Sequence, residues 1–146
     1  MNTTQISCRI VPTYFPDAPP LHLTIKLDGQ TLLDQDIQEP VDFVHEVEDQ
    51  EARHLLEFEM LNKSDQHTPW DSQGQILGDC QLQIEKMSFD GIELTQIFSR
   101  NSQYLHSYND PNGEVVTDQF YEIMGCNGVV RFEFETPVYL WLLENM

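Results

Sequence analysis

Apolar and polar residues alternate along most of this 146-residue chain. In the run 54–61, Leu56, Phe58 and Met60 are interleaved with Glu57 and Glu59, the period of a half-buried strand. The run 76–89 carries Ile76, Cys80, Leu82 and Ile84 on one face, then changes phase so that Met87 and Phe89 form the apolar pair. A one-residue change of phase predicts a β-bulge or a strand that bends between sheets. The same alternation predicts strands over 5–11 (Ile6, Cys8, Ile10), 21–27 (Leu21, Leu23, Ile25, Leu27), 30–37 and 41–47 (Val41, Phe43, His45, Val47). Two more are predicted over 115–124 and around Val130, Phe132 and Phe134. Asp28-Gly29, Asp49-Gln50-Glu51, Asp90-Gly91 and Asn109 to Gly113 mark turns.

The connecting segments add less. Prolines 12, 16, 19 and 20 stiffen a linker whose Tyr14 and Phe15 are placed to cover a sheet edge. Leu94, Ile97 and Phe98 fit one helical turn, and Tyr104 and Tyr108 suggest an extended or hairpin segment after it. The tail VYLWLLENM is apolar on both faces, which reads as a buried closing strand or a surface that another chain covers. About nine or ten short strands at even spacing, with at most one short helix, predict an all-β, antiparallel two-sheet β-sandwich. A jelly-roll-like arrangement with residues 1–146 as a single domain is expected.

Charge narrows the choice of partners. The chain has 25 acidic and 7 basic residues, a formal charge of −18, which excludes nucleic acid and anionic membrane surfaces as partners. The charge suits a solvated surface, a basic partner or divalent cations. No apolar run reaches the roughly 18 residues of a membrane span. The start MNTTQISCRIVP lacks the pattern of a signal peptide, so folding in a cytoplasm is expected. Cys8, Cys80 and Cys126 show no zinc spacing and are expected as free thiols, Cys8 and Cys80 buried.

GxSxG, HExxH and P-loop patterns are absent from the sequence, and the five histidines are scattered, so a non-enzymatic protein is expected. His22 and His54 fall on polar strand faces, and His45 on an apolar one. The candidate site is the polar loop 62–74 with Asp79 just beyond it. Asn62, Asp65, Asp71, Asp79 and backbone carbonyls are hard oxygen donors of the kind calcium takes. Trp70 offers a flat face for stacking on a sugar or peptide. The alternative is structural: Pro69 and Trp70 plug one end of the sandwich while the acids face water.

The stretch LLEFEMLNKSDQHTPWDSQGQILGDCQLQIEKMSFDGIEL resembles the second half of calcium-dependent carbohydrate-binding modules of the xylan-binding type. In that family a strand runs into an acidic loop, and the next strand carries an aspartate and closes on a short Asp-Gly or Asn-Gly turn. LTIKLDGQTL is similar to the family's early strand and turn. The resemblance implies a calcium ion and a glycan held together by loop aspartates, with Asp71, Asp79 and Asn62 as metal ligands; from the loop itself, Trp70 and Asp65 are the candidate ligand-binding residues. Lys63 stands where the family prefers an acid. The same pattern, D-x-x-G-x-I-x-x-D followed by I-x-x-M-x-x-D-G-I-x-L, also resembles small β-sandwich virion proteins of tailed phages. That resemblance implies an accessory or decoration protein of a particle assembled in the host cytoplasm. It would meet capsid, neck or tail proteins, or further copies of itself, through Tyr139 and Trp141 of the tail.

Overall fold

The computed structural model describes residues 2–15, 17–106 and 115–146, and the backbone but not the side chain of Asp65. The expected turn at 109–113, and Tyr108, lie outside the described residues. Among the described residues, eleven strands form two antiparallel sheets, which is the all-β sandwich read from the sequence.

One sheet contains β1 (Thr3–Thr13), β4 (Val41–Glu48), β6 (Gln81–Phe89), β7 (Ile92–Glu93) and β10 (Ile123–Met124). Its path is β10-β6-β1-β4, with β7 also on β6. The other contains β2 (Leu21–Leu27), β3 (Gln30–Ile37), β5 (Ala52–Met60), β8 (Ser102–His106), β9 (Val116–Gln119) and β11 (Gly128–Thr136), in the order β3-β2-β5-β11-β8-β9. Proline is tolerated at Pro12 because β4 pairs β1 only as far as Ile10, so Pro12 has a strand on one side alone.

The alternation in the sequence becomes the inward faces of the two sheets. Ile6, Cys8 and Ile10 of β1 and Leu82, Ile84, Met87 and Phe89 of β6 face Leu56, Phe58 and Met60 of β5 and Val130, Phe132 and Phe134 of β11 in one buried cluster. The phase change in β6 is a bulge at Lys86, whose φ is 57°. Ser7 pairs Ser88 while Arg9 pairs Glu85, so two residues of β6 stand opposite Cys8 alone. Both Asp-Gly turns have positive φ at both central residues (52° and 84° at 28–29, 50° and 80° at 90–91), the type I′ geometry of tight hairpins. His45 is half-buried beside Phe43 and Val47, and burial pushes the Cys8 thiol up to about 12, which leaves it inert.

Three expectations are corrected. The run 76–89 is not one strand: β6 begins at Gln81, and 76–80 is loop. Gly78 lies against the ring of Phe15, where a Cβ would come within 2.2 Å of a ring carbon, so the linker aromatic covers the loop before the strand. The run 115–124 divides into β9 and β10, which belong to different sheets, and buried Phe120 marks the crossing. The tail is a helix. Helix α1 (Thr95–Asn101) is the expected one, and α2 (Val138–Asn145) is a second. Val138, Trp141 and Leu142 of α2 are buried at helical spacing, a period hidden in the sequence because the outward positions are apolar too.

Trp141 is therefore core. Its ring lies 5.7 Å from Phe132 and 6.0 Å from Phe89, and Phe89 lies 5.0 Å from Phe134. Trp141→Ala is expected to cost about 3–5 kcal/mol in urea denaturation through the cavity it leaves, and a loss below about 1 kcal/mol would show that α2 does not close the core.

Candidate functional site

The loop after β5 is built on a buried cation. Lys63 keeps only 2% of its side chain exposed, and its Nζ donates to the Gly125 carbonyl at 2.5 Å and meets Asp79 Oδ1 at 2.7 Å. Thr68 Oγ1 donates to the same Asp79 oxygen at 2.8 Å. The backbone of Lys63 is held on both sides by one amide: its N–H donates to Asn127 Oδ1 at 2.7 Å, and its carbonyl accepts from Asn127 Nδ2 at 2.8 Å. A buried ammonium needs such partners, because an unpaired charge removed from water is costly.

The neighbouring donors are engaged as well. Asn62 accepts from the His22 amide at 2.8 Å and donates to the Pro20 carbonyl at 3.0 Å, tying the end of β5 to the start of β2. Asp71 Oδ1 accepts from the Gln73 and Gln75 amides, both at 2.8 Å, and so caps its own turn. That turn closes a small hairpin in which Leu77 donates to the Pro69 carbonyl at 2.8 Å and Asp71 to the Gln75 carbonyl at 2.9 Å. These bonds flank the Trp70–Ile76 bridge, making it a non-hydrogen-bonded pair whose side chains stand close on one face. Trp70 is 55% exposed and Ile76 58% exposed. The indole is an outward platform and does not plug the sandwich.

Asn62, Asp71 and Asp79 thus serve three separate local tasks. Calcium takes about 6 to 8 oxygen ligands. Here one carboxylate is turned to a lysine, another to backbone amides, and the amide oxygen of Asn62 to His22. Among the described residues no group of three His, Cys, Asp or Glu is arranged to hold a metal ion. As placed, these residues do not fit calcium, and the Lys63 ammonium supplies the positive charge beside Asp79.

Sequence reasoning missed two other clusters. His22 lies between two carboxylates of the edge strand β3: Nδ1 is 2.8 Å from Asp36, and Nε2 meets Asp34. Those contacts raise its pKa above the usual 6.5, and His22 with Thr24 lowers that of Asp34 below 3.8. The signal was the register, which sets His22 opposite Asp36. His54, expected on a polar face, lies on the inward one and stacks on Phe134 at 5.1 Å. Its Nδ1 is 2.7 Å from Asp28, and its Nε2 is 3.1 Å from Thr136 Oγ1. The sequence of groups is that of a hydrolytic triad, but Thr136 is buried and its hydroxyl donates to the Gln50 carbonyl. That bond points the proton away from the imidazole, so the hydroxyl is not set up as a nucleophile. Asp28, His54, Phe134 and Trp141 are among the residues that line a groove of about 540 Å3 beside α2.

Two outcomes follow from this geometry. Melting curves of the wild type in calcium and in EDTA should superimpose, whereas Lys63→Met should lose about 1–3 kcal/mol by leaving the Gly125 carbonyl without its donor and Asp79 without its counter-charge. A calcium-dependent rise of several degrees in the wild type would contradict the assignment. For His22, the raised pKa gives stability that is complete below 6.5 and lost as pH climbs through the folded value. For Asp34, the lowered pKa gives stability that is complete above 3.8 and lost as pH falls through the folded value. The melting difference between wild type and His22→Gln should therefore be largest between pH 3.8 and 6.5 and shrink on both sides. A difference that is flat with pH would show that the contacts do not act as charged pairs.

No family model matches the chain, and no curated relative is found. Among solved structures it is similar to vCBM60 in complex with galactobiose, with a TM-score of 0.49 and 12% identity over 88% of this chain and 96% of the other. It is also similar to the selenomethionine form of vCBM60, from work on circular permutation linking two families of calcium-dependent carbohydrate-binding modules. There the TM-score is 0.46 and the identity 13%, over 88% of this chain and 89% of that one. The chain's structural neighbours are therefore carbohydrate-binding modules, at the level of a distant likeness of fold.

Proposed function

We propose that the protein is a non-catalytic binding module that holds a glycan against the Trp70 indole. The observation that supports this is the platform itself: a tryptophan more than half exposed, fixed by a hairpin that Asp71 caps from within. An aromatic face held in this way stacks on the apolar face of a pyranose ring at little cost in side-chain entropy. Calcium has no part in this reading, since Lys63 stands beside Asp79. Asp65, in the short 3-10 turn Asp65–His67, is the sequence-based candidate for a polar contact near the platform.

A second reading is favoured by α2. Its outer residues Tyr139, Leu140 and Leu143 are exposed and apolar, a surface that suits assembly into a larger body. Under that reading the protein is an accessory or decoration component of a tailed-phage particle, made in the host cytoplasm, and α2 meets its protein neighbours.

Affinity electrophoresis through gels of soluble polysaccharides, xylan and galactan included, tests the first reading. Trp70→Ala should abolish retardation without changing the melting temperature by more than about 1 °C, because the substituted side chain is exposed. EDTA should leave retardation unchanged. Equal migration of wild type and Trp70→Ala in every gel would reject the glycan reading.

A further inference from the structure

The outer face of α2 has an unusual border. Tyr139, Leu140 and Leu143 are 49%, 61% and 71% exposed; no basic residue of α2 lies in its last turn, and Arg100 of α1 donates to the Asn145 carbonyl at its end. On one side stand Asp49 and Asp90: the Tyr139 hydroxyl donates to Asp90 Oδ2 at 2.8 Å, and the Val138 amide donates to Asp49. On the other side runs the groove of about 540 Å3, where Asp28, Glu133, Glu135 and Glu144 outnumber the basic side chains Arg53 and His54, and His54 is turned to Asp28. Arg53 is already paired, 3.2 Å from Glu135.

We propose that α2 docks a basic amphipathic segment of a partner protein. The segment's apolar side lies on Leu140 and Leu143, and a lysine or arginine enters the acidic groove. The inference rests on the assembly reading and names the chemistry of its partner. Charge selects this occupant. A second copy of the chain, related by a two-fold axis, would bring the same acidic groove and border of both chains into one interface, at −18 per chain. A basic edge on an apolar stripe instead complements both parts of the surface.

The probe is a short amphipathic helical peptide of leucine and lysine, with a leucine–glutamate peptide of the same pattern as its counterpart. Binding to the full chain is measured by calorimetry, and sedimentation follows the oligomeric state. The lysine peptide should bind and the glutamate peptide should not. Affinity should fall as salt is raised and drop at least ~10-fold in Leu140→Ser/Leu143→Ser, a loss of about 1.4 kcal/mol. Both substituted side chains are exposed, and an unchanged near-ultraviolet signal from Trp141 verifies the fold. Trp70→Ala should bind as the wild type does. If both peptides bind and both lose affinity in the double variant, the basic chemistry is overturned while the assembly reading stands. Self-association abolished by the double variant has the same meaning, with a second copy as the occupant. If neither peptide depends on Leu140 and Leu143 and the chain stays monomeric, the inference and the assembly reading both fail.

Discussion

Phe89 enters from one sheet between Phe132 and Phe134 of the other, and Trp141 caps the group from α2. Everything else in the molecule is placed relative to this aromatic contact. It requires Phe89 to point inward, and Phe89 can do so only because the bulge at Lys86 resets the phase of β6 after Ile84. The next two residues form the Asp90-Gly91 turn, and Asp90 then takes the Gln5 amide and the Tyr139 hydroxyl. Packing in the centre thus fixes a turn, and the turn fixes the helix at the surface.

The loop beyond β5 obeys a different constraint, because it has too little apolar surface to pack for itself. Its order comes from polar contacts drawn from distant parts of the chain: Asn62 to the start of β2, Lys63 to Asn127 and Gly125, and Thr68 and Lys63 to Asp79. In a chain with so few cations, placing one lysine inside the loop gives its carboxylate an internal counter-charge. The Trp70 hairpin is then carried on a frame held by the chain's own groups.

Most of the sandwich was legible because a two-residue period is local: Leu21 to Leu27 and Gly128 to Thr136 show it whatever they pair with. The bulge and both Asp-Gly turns were legible for the same reason. What failed was non-local or masked. The tail reads as apolar on every face, so its helical period does not show, and Trp141 looks the same as its exposed neighbours until the core is present. The loop acids looked like one ligand set because they are close in sequence, but Asp71 turns to its own hairpin and Asp79 to Lys63. Trp70 could be singled out by its flat aromatic face, whereas Ile76 beside it could not, because that neighbour exists only through the Trp70–Ile76 bridge. The Asp28–His54–Thr136 chain joins three turns and strands that no local pattern connects.

The first strand has a consequence for how the molecule is made. β1 lies inside its sheet, between β4 and β6, and Ile6 pairs Phe89. A ribosome therefore releases the central strand first and its second neighbour only some eighty residues later. Until then a paired β1 and β4 would leave both edges of the ribbon open and an apolar face of Ile6, Cys8, Ile10, Phe43 and Val47 without cover. Contacts this distant in sequence make folding slow, and an open edge invites pairing with another nascent chain. The acid density of the chain works against that outcome before any fold exists, because two such ribbons repel each other. The same charge that shapes the finished surface thus acts first as a guard during synthesis.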